Sequence, residues 1–227
     1  MRARKSTGSF TDGHRAGCAI LLTVNTRPAA LSALVSVFLF SSAFAGSGLF
    51  ADLRTTGYGW AKPDVTVSIK TLPGAEGFRD DVVSVVGEWN GILARIRGAP
   101  NLSMSETPAD VSVIISPSEG PCLGFAKTST SVRNSCVLSR VTIVLYTKAL
   151  GRHYSHAGLR NISRHEFAHA LGIGHSNDEK EQMFPLASTG VFFGQEDIRP
   201  SECEAKALSA IYPMKPYCVM PEKVDCF

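Results

Sequence analysis

His165, Glu166, His169, Gly172 and His175 stand at the spacing H-E-x-x-H-x-x-G-x-x-H. Each fixed position has a chemical reason. On a helix, His165 and His169 lie four apart on one face, close enough to share a metal ion. Glu166 is turned about 100° from His165. It borders such an ion without being forced to ligate it, which suits a base acting on water. Gly172 can take the left-handed conformation that ends a helix and turns the chain. That turn would bring His175 back as a third ligand. Three neutral imidazoles leave the ion its double charge and an open position, as in a catalytic zinc site rather than a closed structural one. H-E-x-x-H alone occurs by chance. All five fixed residues together should arise by accident at a rate on the order of 10⁻⁵ per chain of this length.

The stretch resembles the metzincin zinc endopeptidases, whose signature continues to a methionine turn beneath the metal. Met183 follows His175 by eight residues, in Gln182-Met183-Phe184-Pro185. That spacing, Ser176 directly after the third histidine and the Met-aromatic-Pro run are most similar to the matrixin branch. Asp197-Ile198 followed by Ala210-Ile211-Tyr212 resembles the last helix of matrixin catalytic domains, with a longer interval. The resemblance implies Zn²⁺ on His165, His169 and His175, Glu166 as general base, and Met183 as an apolar floor. It places Leu123-Gly124-Phe125-Ala126 on the antiparallel edge strand that lines the substrate cleft, and Phe184 and Pro185 beside that cleft. An edge strand has free backbone groups to which a peptide can add. Val191, Phe192 and Phe193 would wall the pocket after the scissile bond or pack the core. No His-Phe-Asp segment and no Asp-rich run precede the active helix. Vertebrate-type matrixins carry structural zinc and calcium there, so one zinc and no calcium are expected. A Pro-Arg-Cys-Gly switch is also absent from the sequence.

The elements that must position these residues can be read from periodicity. Asp64–Ile69 alternates as a strand. From Phe78 the pattern turns helical, with Val82, Val83, Val86, Trp89, Leu93 and Ile96 on one stripe, and Gly98-Ala99-Pro100 ends it. Trp89 is expected in the core. Leu102–Ser105, Val111–Ile115 and Val141–Tyr146 read as strands. Gly46–Lys62 reads as an irregular lead-in. A last helix is expected within Gln195–Tyr212. His153 and His156 precede the active helix and read as bystanders rather than further ligands.

The chain opens on a basic leader with Arg2, Arg4, Lys5, Arg15 and Arg27, then an apolar run from Ala29 to Phe44. Ala43-Phe44-Ala45 fits a small-x-small cleavage site, so residues 1–45 read as a signal peptide. Left uncleaved, Ala29–Phe50 is just long enough to anchor in a bilayer. The 227 residues carry a net charge of +3. Removing residues 1–45 takes five basic residues and Asp12, leaving eighteen basic against nineteen acidic residues, a net charge of −1. No basic patch then argues for nucleic acid. The remaining 46–227 suits a single catalytic domain. It keeps Cys122, Cys136, Cys203, Cys218 and Cys226, an odd number in keeping with an oxidising compartment. Cys122 and Cys136 flank a Gly/Ser-rich stretch and are expected to pair. The tail after Pro213 is expected to be pinned by a disulfide.

These readings converge on an α/β (α+β) fold: a metzincin-like twisted mixed five-stranded sheet, a backing helix, an active-site helix and an irregular C-terminal subdomain. The expected function is a secreted (extracellular or periplasmic) monomeric zinc endopeptidase acting on protein or peptide, with membrane association only through an uncleaved leader. The alternative is a catalytically silent, secreted zinc-fold binding or inhibitory module. Retention of Glu166 speaks against it, because a structural site needs no base.

Overall fold

A computed structural model describes residues 52–106, 109–120, 124–130 (backbone only), 136–149, 151–178, 182–183, 196–212 and 220–226. The leader, Cys122, Leu123, Phe184, Pro185, the 191–193 loop and Cys218 lie outside the described residues.

The main sheet is built from β2 (Asp64–Thr71), β3 (Asn101–Met104), β4 (Val111–Glu119), β5 (Gly124–Thr130) and β6 (Leu138–Ala149), in the order β3-β2-β4-β6-β5. The first four run parallel, and β5 lies antiparallel to β6 at the end of the order. This is the expected mixed five-stranded sheet, with β2, β4, β5 and β6 longer than the sequence reading draws them and β3 shifted by one residue. A two-residue strand, β7 (Arg152–His153), continues the antiparallel pairing on β6. Burial alternates along the strands: Val65 and Val67 on β2, Val111, Val113 and Ile115 on β4, and Val141, Ile143 and Leu145 on β6. The period of two puts these side chains on one face.

That face carries the helices. α1 (Arg79–Leu93) buries Val82, Val85, Val86, Trp89, Ile92 and Leu93. The stripe therefore runs through Val85 and Ile92, whereas Val83 and Ile96, expected on it, are only half-buried. A Val-Val-x-Val-Val run offers two registers, and only packing selects between them. Trp89 is fully buried, as expected. Asn90 holds β3 to this helix, donating from Nδ2 to the Leu102 carbonyl at 2.7 Å and accepting from the Leu102 N–H at 2.8 Å. The buried side chains of strands and helices form one core.

α2 (His156–Ala170) begins at Ser155, whose hydroxyl accepts from the Gly158 N–H, an N-cap. It is buried along almost its whole length, including the polar Asn161, Ser163, Arg164, His165 and Glu166. Beyond its end a second sheet forms, ordered β8-β1-β9, from β1 (Asp52–Thr55), β8 (Ile173–Ser176) and β9 (Lys223–Asp225). Both pairings are antiparallel. β1 corrects the reading of Gly46–Lys62 as irregular. Four residues with one buried apolar side chain, Leu53, carry too little alternation to mark a strand, and β1 is held by partners far along the chain. In the C-terminal part the expected last helix and disulfide-pinned tail are present, and β9 is an element the sequence reading does not draw. α3 (Glu202–Ile211) starts in a capping box of Ser201 and Glu204, and Cys203–Cys226 ties it to the tail that forms β9. Cys136 is also in a disulfide; Cys122, its expected partner, lies outside the described residues. No described helix is long and apolar enough to cross a membrane.

Candidate metal centre

The three histidines come together. One ring nitrogen from each of His165, His169 and His175 lies within 4.8 Å of the others, the one such group of possible metal ligands among the described residues. α2 supplies the first two at its C-terminal end. Gly172 then takes φ +100°, as its place in the motif required, and β8 carries His175 back toward the helix. Two constraints select glycine there. The positive φ disfavours any side chain, and a Cβ would run into the Tyr58 carbonyl oxygen. The same turn is held from outside by Thr56, whose N–H and hydroxyl both donate to the Gly172 carbonyl at 2.9 Å. Trp60 donates from its indole N–H to the Ala170 carbonyl at 2.8 Å, and the Tyr212 hydroxyl to Leu171 at 3.1 Å. The N-terminal segment, expected to be an irregular lead-in, thus braces the end of the active helix.

The hydrogen bonds fix which nitrogens face inward. His165 Nδ1 lies 3.1 Å from the Gln182 carbonyl, and His169 Nδ1 lies 2.9 Å from the Ile173 carbonyl. A carbonyl oxygen only accepts, so each Nδ1 carries the proton and each neutral ring offers a bare lone pair at Nε2. These two Nε2 atoms stand 3.2 Å apart. Two acceptors at that distance repel unless a cation lies between them. Tetrahedral zinc with nitrogens at about 2.0–2.1 Å requires a separation close to this. The donor set therefore fits a divalent metal held on imidazole, with carbonyls fixing the tautomers from behind. Burial pushes the His165 pKa well down, and neighbouring His169 adds to it. Both effects favour the neutral ring that a metal needs.

Glu166 follows His165 on α2 and is buried, 3% exposed. Met183 is fully buried. Its carbonyl accepts from the Ser176 N–H at 2.9 Å, next to His175, which places the methionine turn against the ligand strand. Gly124, Phe125 and Ala126 lie on β5, paired with Leu145, Val144 and Ile143 of β6, at the edge position expected of a cleft strand. Leu123, Phe184 and Pro185, the other expected cleft residues, lie outside the described residues. His153 is exposed on β7, and His156 contacts Asp81 through Nδ1 at 2.6 Å while its ring lies 5.0 Å from that of Phe78. Neither joins the metal group.

Sequence reasoning missed the polar layer behind the ligands. In the sequence Gln182 stands out only as the neighbour of Met183. Asn161 and Arg164 lie on the helix that leads to the ligands, and nothing in their spacing announces a network. Asn161 donates from Nδ2 to the Glu196 carbonyl at 2.9 Å, and its Oδ1 accepts from the Ile198 N–H and from Arg164, both at 3.0 Å.

The model of the Matrixin family (Peptidase M10) matches residues 118–212, from the end of β4 past the end of α3. No curated protein matches the chain. The matched stretch holds the three histidines, Glu166 and Met183, and the match supports a matrixin-like metzincin peptidase.

Proposed function

We propose that the chain is a secreted zinc-dependent endopeptidase that hydrolyses peptide bonds in proteins or peptides. The facing Nε2 atoms of His165 and His169, with a nitrogen of His175 inside the same 4.8 Å group, carry this reading. The matrixin match over the same residues also suggests a metallopeptidase.

When bound, zinc would supply Lewis-acid polarisation of the scissile carbonyl and acidification of water. The chain supplies the rest. His165, His169 and His175 would hold the ion through neutral rings, two of them oriented by backbone carbonyls. The Glu166 carboxylate accepts the proton of the attacking water and passes it to the leaving amine. The β5 edge offers its backbone to an extended substrate, which would add as a further strand. Met183 gives the rings a soft apolar support. One zinc and no calcium are proposed per chain, acting as a monomer.

The test is cleavage of a generic fluorogenic peptide set by the secreted protein, with and without a chelator, alongside metal analysis. Chelator-sensitive cleavage restored by zinc, with close to one equivalent bound, is expected. Stoichiometric zinc without cleavage of any peptide would favour a binding or inhibitory module instead.

A further inference from the structure

Gln182 is fully buried and works in two directions. Its side-chain Nε2 donates to the Asn161 backbone carbonyl at 2.8 Å, one turn before His165 on α2. Its own backbone carbonyl accepts from His165 Nδ1 at 3.1 Å. The next carbonyl, that of Met183, accepts from the Ser176 N–H beside His175. One two-residue turn therefore contacts the first ligand directly and the neighbour of the third. The side-chain bond to Asn161 fixes how far this turn stands from the helix. Asn161 is itself immobilised, with its side chain bonded to Glu196, Ile198 and Arg164.

We propose that Gln182 is a positioning residue for the metal centre. Its side-chain amide, anchored on Asn161, holds its own carbonyl at the distance that keeps the proton on His165 Nδ1 and the Nε2 lone pair directed at the metal. Without the anchor, the turn is free to shift, and the His165 ring loses the partner that sets its tautomer and rotation. The assignment rests on the zinc reading above, but it concerns affinity for the ion rather than turnover.

The experiment measures the zinc dissociation constant by competition with a chromophoric chelator, together with the melting temperature of the zinc-free protein. Gln182→Met keeps the length and bulk of the side chain but removes the donor. It should weaken zinc binding about 10–100-fold, the usual effect of losing an outer partner of a ligand. Asn90→Leu is the control. It removes a half-buried pair of side-chain bonds to the Leu102 backbone, between α1 and β3 and away from the metal. It should lower the melting temperature yet keep zinc affinity within about twofold of the unmodified protein. Equal affinity of Gln182→Met and unmodified protein would overturn the proposal, as would an equal loss in Asn90→Leu. If Gln182→Met does not fold, Gln182→Asn, one methylene too short for the anchor, takes its place under the same criteria. Failure of both to fold would make Gln182 a residue of stability and overturn its positioning role. Absence of zinc binding by the unmodified protein would instead remove the metal reading itself, and this inference with it.

Discussion

Arg164 Nη1 donates to Oδ1 of Asp197 at 2.6 Å, one residue before the first metal ligand. The guanidinium is wholly buried and uses its whole fork. Nε and Nη2 reach the two Glu88 oxygens at 2.7 and 2.9 Å, and Nη1 also reaches Asn161 Oδ1 and the Ile198 carbonyl, each at 3.0 Å. This one side chain binds α1, α2 and the segment leading to α3. Removing one partner of a buried ionic cluster costs more than the cluster adds to stability, because the others lose compensation. Glu88 and Asp197 keep partial contact with water, which moderates that cost. Arg164→Met should therefore lower unfolding free energy by about 2–3 kcal/mol in urea titration. A loss under about 0.5 kcal/mol would show the cluster to be energetically idle.

The same pair gives the fold an acid limit. Its hydrogen bond from Arg164 is the largest influence on the Asp197 carboxyl and holds its pKa below the ordinary aspartate range. A carboxyl whose folded pKa is depressed binds fewer protons folded than unfolded. Its contribution is therefore complete above the unfolded pKa of about 4 and is lost as pH falls through the lower folded value. Asp197→Asn should reduce stability at neutral pH and flatten the decline below about pH 4. Melting curves across that range check it, and an unchanged acid limb would assign the decline to other carboxylates.

What could be read in advance follows the range of the interactions. The ligand set, the glycine turn and Met183 lie within nineteen residues, and their spacing carries their geometry. The parallel strands β2, β4 and β6 were legible because alternating Val and Ile mark them without knowledge of partners. Arg164, by contrast, is explained by Glu88 and Asp197, 76 and 33 positions away, and no local pattern joins them. Strand β1 exists only as the partner of β8 and β9, and β9 only as the partner of β1, so four and three residues in isolation show nothing. In α1, Val85 displaced Val83 from the stripe because both registers are apolar and the core decides.

Gly172 offers a test of the turn that delivers the third ligand. Gly172→Ala forces a side chain into φ +100° and against the Tyr58 carbonyl. The left-handed conformation and the contact together should cost at least about 2 kcal/mol. Zinc affinity should fall with it, since β8 leaves this residue toward His175. Gly91 in α1 is the control of opposite sign. A Cβ there meets open space, so Gly91→Ala should raise stability by about 0.5–1 kcal/mol. Equal effects at both positions would mean that the turn is not the constraint.

Glu166 separates chemistry from metal binding. Gln is nearly isosteric, so Glu166→Gln should leave the buried packing and the three imidazoles in place. It lacks the basicity to take a proton from water near neutral pH. Assistance by a general acid–base group contributes about 10²–10⁴-fold, and peptide cleavage should fall by at least that much while zinc content stays near one equivalent. His169→Ala should behave differently, losing metal and cleavage together, because it removes one of the two facing Nε2 donors. The two measurements belong on one preparation of each variant. Near-normal turnover in Glu166→Gln would mean that another group is the base. Loss of zinc in that variant would mean that the carboxylate supports the ligands, and the proton transfer would have to be assigned elsewhere.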